Sequence, residues 1–122
     1  MPKIIALVGH CGIDGPRLQS ELTGILPGVQ VVRCNDQHDL DELCQSGVNL
    51  LLLNRQLVGE FDVEEGLNLL QSIRARHPGL RTILVSDHPD AQEQARAAGA
   101  LPGFGKSQSV AEYGPAVKSA LA

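Results

Sequence analysis

Val48-Asn49-Leu50-Leu51-Leu52-Leu53-Asn54 decides the fold. Four consecutive leucines stand between Gly47 and a charged, Gly-containing loop, a run too short for a helix to be the better reading. A short apolar run bounded by turn signals reads as a strand buried on both faces, as in a parallel sheet. Periodicity alone leaves a buried helical piece open; the helical patterns before and after the run decide for a strand. Asn54 then ends a central strand at its carboxyl side, where open α/β sheets place their ligands.

Towards the N-terminus, Val29 to Arg33 is β-branched and imperfectly alternating, an edge strand. Asn35 or Asp36 can cap the short helix that carries Leu40, Leu43 and Cys44, and Gly47 ends it. Lys3 to Val8 is a second doubly buried strand, closed by Gly9-His10-Cys11-Gly12. Leu18, Leu22, Ile25 and Leu26 lie on one helical face, with Asp14 as the expected cap and Pro16 at the first helical position.

Towards the C-terminus, Arg55 to Glu65 reads as a long solvated loop with Glu60, Asp62, Glu64 and Glu65. Gly66 to Arg74 is a helix with Leu67, Leu70 and Ile73 inward. Thr82 to Val85 is the fourth strand, Ala91 to Ala98 an alanine-rich helix, and Leu101 to Phe104 the fifth strand. Ser109 and Glu112 have capping-box spacing, but Pro115 predicts a last helix that is short, bent or delayed to Gly114. Five β-α units with short connections predict a flavodoxin-like three-layer α/β sandwich on a five-stranded parallel sheet, ordered 2-1-3-4-5. Residues 1–122 are expected to form a single domain.

Composition narrows the function. The net charge is −4 with scattered basic residues, and two Phe, one Tyr and no Trp offer no stacking platform, so a nucleic-acid partner is not expected. Three cysteines at irregular spacing form no disulfide framework and suit a reducing cytoplasm. No signal peptide is expected, and no run approaches the ~20 apolar residues that cross a bilayer.

Val48 to Lys106 resembles the receiver domain of bacterial two-component response regulators. The residues that carry the likeness are Leu51-Leu52-Leu53-Asn54, where that family has a phosphoaccepting Asp, and Gly66-Leu67-Asn68-Leu69-Leu70-Gln71-Ser72-Ile73-Arg74. Val85-Ser86-Asp87, Ala98-Gly99-Ala100 and Lys106 follow in the family's order. The resemblance implies a pocket formed by Gly9, His10, Asn54, Ser86 and Lys106, a degenerate version of the phosphoacceptor site. Gly9-His10 stands where the family has an acid pair for Mg²⁺, and an amide is a poor nucleophile. Lys106 is kept without its acid, Ser107 replaces the usual Pro, Gly103 aligns with the aromatic switch residue, and the loop after the third strand is longer. These departures predict a pseudo-receiver that needs no cofactor and no phosphorylation and is not an enzyme.

The resemblance further implies a protein partner in a signalling pathway, or a second copy of the chain, on the face of the fourth helix, fifth strand and fifth helix. Ala91, Ala95, Gly103, Phe104 and Tyr113 are the residues expected there. The alternative is a sensor of a small anion or metal in the carboxyl-end pocket. If the first two strands are neighbours, His10, Cys11, Cys34 and His38 could supply a tetrahedral Zn²⁺ set, although their spacing matches no zinc pattern. Phosphotransfer on Asp14 or Asp87 is a third reading.

Overall fold

The computed structural model describes residues 2–122. Among them, strand and helix alternate five times: β1 (Ile4–Val8), α1 (Asp14–Ile25), β2 (Gln30–Cys34), α2 (Gln37–Ser46), β3 (Leu50–Asn54), α3 (Gly66–Arg76), β4 (Thr82–Val85), α4 (Pro89–Ala97), β5 (Leu101–Phe104) and α5 (Val110–Leu121). All pairings are parallel and the strand order is β2-β1-β3-β4-β5, the flavodoxin-like arrangement expected.

The leucine run lies at the centre of this sheet and is buried on both faces. Leu50 and Leu52 pack with Ile5, Leu7 and Ile83 beneath Leu18 and Leu22 of α1 and Val117 of α5. Leu51 and Leu53 pack with Ala6, Val8 and Leu84 beneath α2, α3 and α4, through Leu40, Leu70 and Ala95. Each fully buried leucine contributes roughly 2 kcal/mol, which is why the run tolerates no polar residue before Asn54. No helix among the described residues is long and apolar enough to cross a membrane.

Several local expectations change. α1 begins at Asp14 rather than Pro16, and no side chain caps it. Asp36 caps α2 by accepting the Asp39 N–H at 2.8 Å, and Gly47 ends it in the left-handed region. In α3, Leu69 is buried and Leu67 only half-buried, because the inward face is the i, i+3, i+4, i+7 row of Gly66, Leu69, Leu70 and Ile73.

α5 runs straight through Pro115. The Ser109–Glu112 capping box forms, and Tyr113, Val117 and Leu121 bury one face. Pro115 removes the N–H that the Ala111 carbonyl would accept, but both residues are exposed, so water can serve that carbonyl. Gly114 also relieves the crowding that a Cβ would suffer before proline. Packing outweighs the local penalty. Pro102 sits in β5, an edge strand, where a missing ladder donor is tolerated.

Candidate functional site

β1, β3, β4 and β5 bring their carboxyl ends to one side of the sheet, where a cavity of about 250 Å³ opens. Asn54, Ser86 and Lys106 line it, together with Cys11, Arg55 and Asp87. Gly9 and His10 do not. Gly9 is engaged by Asn54, and His10 by the Leu52 carbonyl.

Asn54 is 3% exposed, and its amide nitrogen donates to the carbonyls of Gly9 at 3.0 Å and Gln56 at 2.7 Å. Its Oδ1 is buried and has no partner. The Gln56 bond begins a strap. Val58 N–H donates to the same Gly9 carbonyl at 2.8 Å, Glu60 N–H to Asn35 at 2.9 Å, and Gln37 N–H back to Glu60 at 2.8 Å.

The loop expected to be solvated is tied across the ends of β1 and β2, with its acidic side chains, Gln56 and Val58 exposed. Two glycines make this possible. Gly9 has φ +74°, and a Cβ there would lie 2.7 Å from the Leu57 side chain. Gly59 has φ +124°, and a Cβ there would run into the Asn35 carbonyl. A side chain at either position would lift the strap.

His10 turns inward and is 1% exposed, its Nε2–H donating to the Leu52 carbonyl at 2.9 Å. Burial pushes its imidazole down to about 4, against the opposing effect of the Leu52 bond. His38 is exposed on α2 and pairs with Glu42 at 3.2 Å, while the Cys34 thiol is buried and bonded to the Asp36 carbonyl. The four supposed zinc ligands are thus not brought together. No group of three His, Cys, Asp or Glu among the described residues is placed to hold a metal.

Lys106 does have an acid. Its Nζ lies 3.2 Å from Asp14 Oδ2, and Arg17 approaches the other oxygen at 3.6 Å. Burial alone would raise the Asp14 carboxyl, but hydrogen bonds from Lys106 and Cys11 and the Arg17 charge hold it below its ordinary value. Asp14 is thus an ion-pair partner and not a helix cap. The residues present do not fit Mg²⁺. Both lone pairs of the Gly9 carbonyl are taken, His10 faces away, Asn54 offers a buried amide, and Asp14 is held by cations.

On the other side of the cavity, Asp87 Oδ1 accepts from Ser107 N–H at 3.2 Å and Ser107 Oγ–H at 2.7 Å, which holds the Asp87 carboxyl down. Asp14 is thus paired with Lys106, and Asp87 with Ser107 through one of its two oxygens. The Gln92 amide of α4 shares its hydrogens among the carbonyls of Leu84, Ser86 and Phe104 at 2.8, 3.1 and 3.2 Å.

The expected partner face loses most of its members. Ala95, Phe104 and Tyr113 are 1%, 3% and 1% exposed. Phe104 stacks on Tyr113 with ring centroids 4.3 Å apart, and the Tyr113 hydroxyl donates to Glu21 at 2.7 Å. Ala95 points into the sheet on the opposite side of the molecule. Only Ala91 and Gly103 keep partial exposure, and Gln92 occupies the space beside Gly103. Sequence reasoning missed Gln92 and the Asp14–Lys106 pair; neither lies in a motif.

No protein-family profile matches the sequence, and no curated protein is similar to it. Solved structures do match. A response regulator from Thermotoga maritima superposes with a TM-score of 0.79 at 18% identity, covering 99% of this chain and 98% of that one. The receiver domain of NtrX from Brucella abortus gives 0.75 at 23% identity, with 98% of each chain covered. The signal receiver domain of a DNA-binding response regulator from Colwellia psychrerythraea gives 0.78 at 16%, covering 98% of this chain and 97% of that one. The chain has the fold of a response-regulator receiver domain.

Proposed function

We propose that this chain is a receiver-like signalling module that works by binding a protein partner, without aspartyl phosphorylation and without Mg²⁺. The observation that carries this reading is Asn54, whose amide donates to two backbone carbonyls where a phosphoryl acceptor would need a free carboxylate. A carboxylate at that point would face the same carbonyls without a hydrogen to offer them. Lys106, committed to Asp14, strengthens the case.

Partner contact through the face of α4, β5 and α5 would have to run over Ala91, Gly103 and the exposed Pro102, since the other expected residues are core. An amide-resolved NMR spectrum, taken before and after Mg²⁺ with beryllofluoride, tests the reading. Unmoved resonances are the expected result. Shifts clustered at Asn54, Ser86 and Lys106 would overturn it.

One observation favours a second reading, a small-anion sensor. Arg55 lines the cavity with Lys106 and makes no ion pair among the described residues. Shifts produced by phosphate alone, without Mg²⁺, would put this reading first.

A further inference from the structure

The three cysteines differ sharply in setting. Cys34 is 1% exposed, and burial pushes its thiol up to about 11. Cys44 is half-buried on α2, and burial with the Asp41 charge raises its thiol too. Cys11 lines the open carboxyl-end cavity, and its Sγ accepts the Asp14 N–H of the first turn of α1 at 3.3 Å. Access to the oxidant is one of the factors that decide which cysteine is oxidised, and Cys11 is the one that lines the open cavity. Asp14, beside this thiol, is itself paired with Lys106 and Arg17.

A second observation in the same cavity is independent of the thiol. Asn54 also lines the cavity, and its Oδ1 is a buried acceptor with no donor. Such an atom costs about 1–3 kcal/mol until something supplies a hydrogen. A thiol is a weak donor; a hydroxyl-bearing group in the cavity would serve better.

We propose that Cys11 is a redox modification site, oxidised by hydroperoxides to a sulfenic acid whose O–H is donated to Asn54 Oδ1. In that step the Cys11 sulfur attacks the terminal peroxide oxygen, forming an S–O bond as the O–O bond breaks. The sulfur loses two electrons, the peroxide gains them, and the alkoxide leaves, which for hydrogen peroxide is hydroxide. The thiol's proton converts that alkoxide to the alcohol, or to water in the case of hydrogen peroxide, while the transferred oxygen keeps its own hydrogen as S–O–H. The consequence is specific to this chain, because Asn54 is also the clasp of the β3–α3 strap. Oxidation reports directly to the residue that holds the strap down. This goes beyond the proposed binding role and does not depend on it.

The test treats the folded, full chain with hydrogen peroxide and dimedone, then reads each cysteine by peptide mass spectrometry. Cys11 should be labelled about tenfold more than Cys34 or Cys44, and the preference should vanish in urea. Equal labelling in the folded chain, or preference for Cys44, overturns the proposal. Cys11→Ser should remove the dominant label while leaving the circular dichroism spectrum unchanged. In the oxidised chain the Asn54 side-chain amide resonances should move; if they stay fixed, the Asn54 contact is wrong.

Discussion

Two side-chain amides clamp the carboxyl end of the sheet, and they do it differently. Asn54 is buried and joins β3 to β1 and to the strap. Gln92 is half-buried and joins α4 to the ends of β4 and β5. Parallel strands that end at a cavity leave carbonyls in need of donors, and this chain meets the need with amides at both places. The difference lies in what could replace them. Gln92 is open to water, whereas the Asn54 side chain is almost fully enclosed at the cavity's edge.

Asn54→Asp should therefore have the largest effect. An ionised carboxylate would oppose the Gly9 and Gln56 carbonyls, costing on the order of 3 kcal/mol or more in urea unfolding. The loss should shrink at acid pH, where a protonated carboxyl regains one donor. A variant as stable as the parent at neutral pH would mean that the amide is not the clasp.

His10 comes next, on the same side. Its imidazole titrates at 6.5 when unfolded and at about 4 when folded, chiefly through burial. The unfolded chain thus binds the extra proton between those values, so stability holds above pH 6.5 and falls as pH drops towards 4. The loss attributable to His10 is roughly 3 kcal/mol, and subtracting the profile of His10→Gln isolates it. Parallel profiles for the two proteins would show that His10 is not buried neutral.

Gln92→Ala should cost less, about 1 kcal/mol, because solvent can take over part of its work. If it costs as much as Asn54→Asp, the contrast between the two clamps is wrong. Lys106→Met should be the mildest, within about 0.5 kcal/mol, since both partners of the pair are partly exposed. Its sharper signature is the Asp14 carboxyl, which should titrate at higher pH in the variant by NMR. Stability contributed by Asp14 is present above its unfolded value and lost as pH falls through the lower folded one.

The sheet was legible because Leu50–Leu53 and the helix from Gly66 are written in contiguous residues with local punctuation. The site was legible only in part. Asn54, Ser86 and Lys106 stand at strand ends, and topology brings any such residues together. The Asp14–Lys106 pair spans most of the chain and leaves no local trace. The inward turn of His10 depends on a positive φ at Gly9, which the sequence permits without requiring. Ala95, Phe104 and Tyr113 were expected at the surface because the resemblance names the elements of a partner face and not the side of each element that a residue takes; only packing assigns that. Pro115 misled for the opposite reason, since a real local penalty was outweighed by burial elsewhere on the same helix.

The bond from Tyr113 to Glu21 has a practical consequence. The chain has one tyrosine and no tryptophan, so its ultraviolet emission comes from a single ring. In the folded state that ring is stacked on Phe104 and its hydroxyl is given to a carboxylate, an arrangement that drains the excited state of tyrosine. Unfolding separates the ring from both. The protein therefore carries a built-in optical gauge of its own core, bright when the seam between α1 and α5 is open and dim when it is closed, with no dye or engineered probe required.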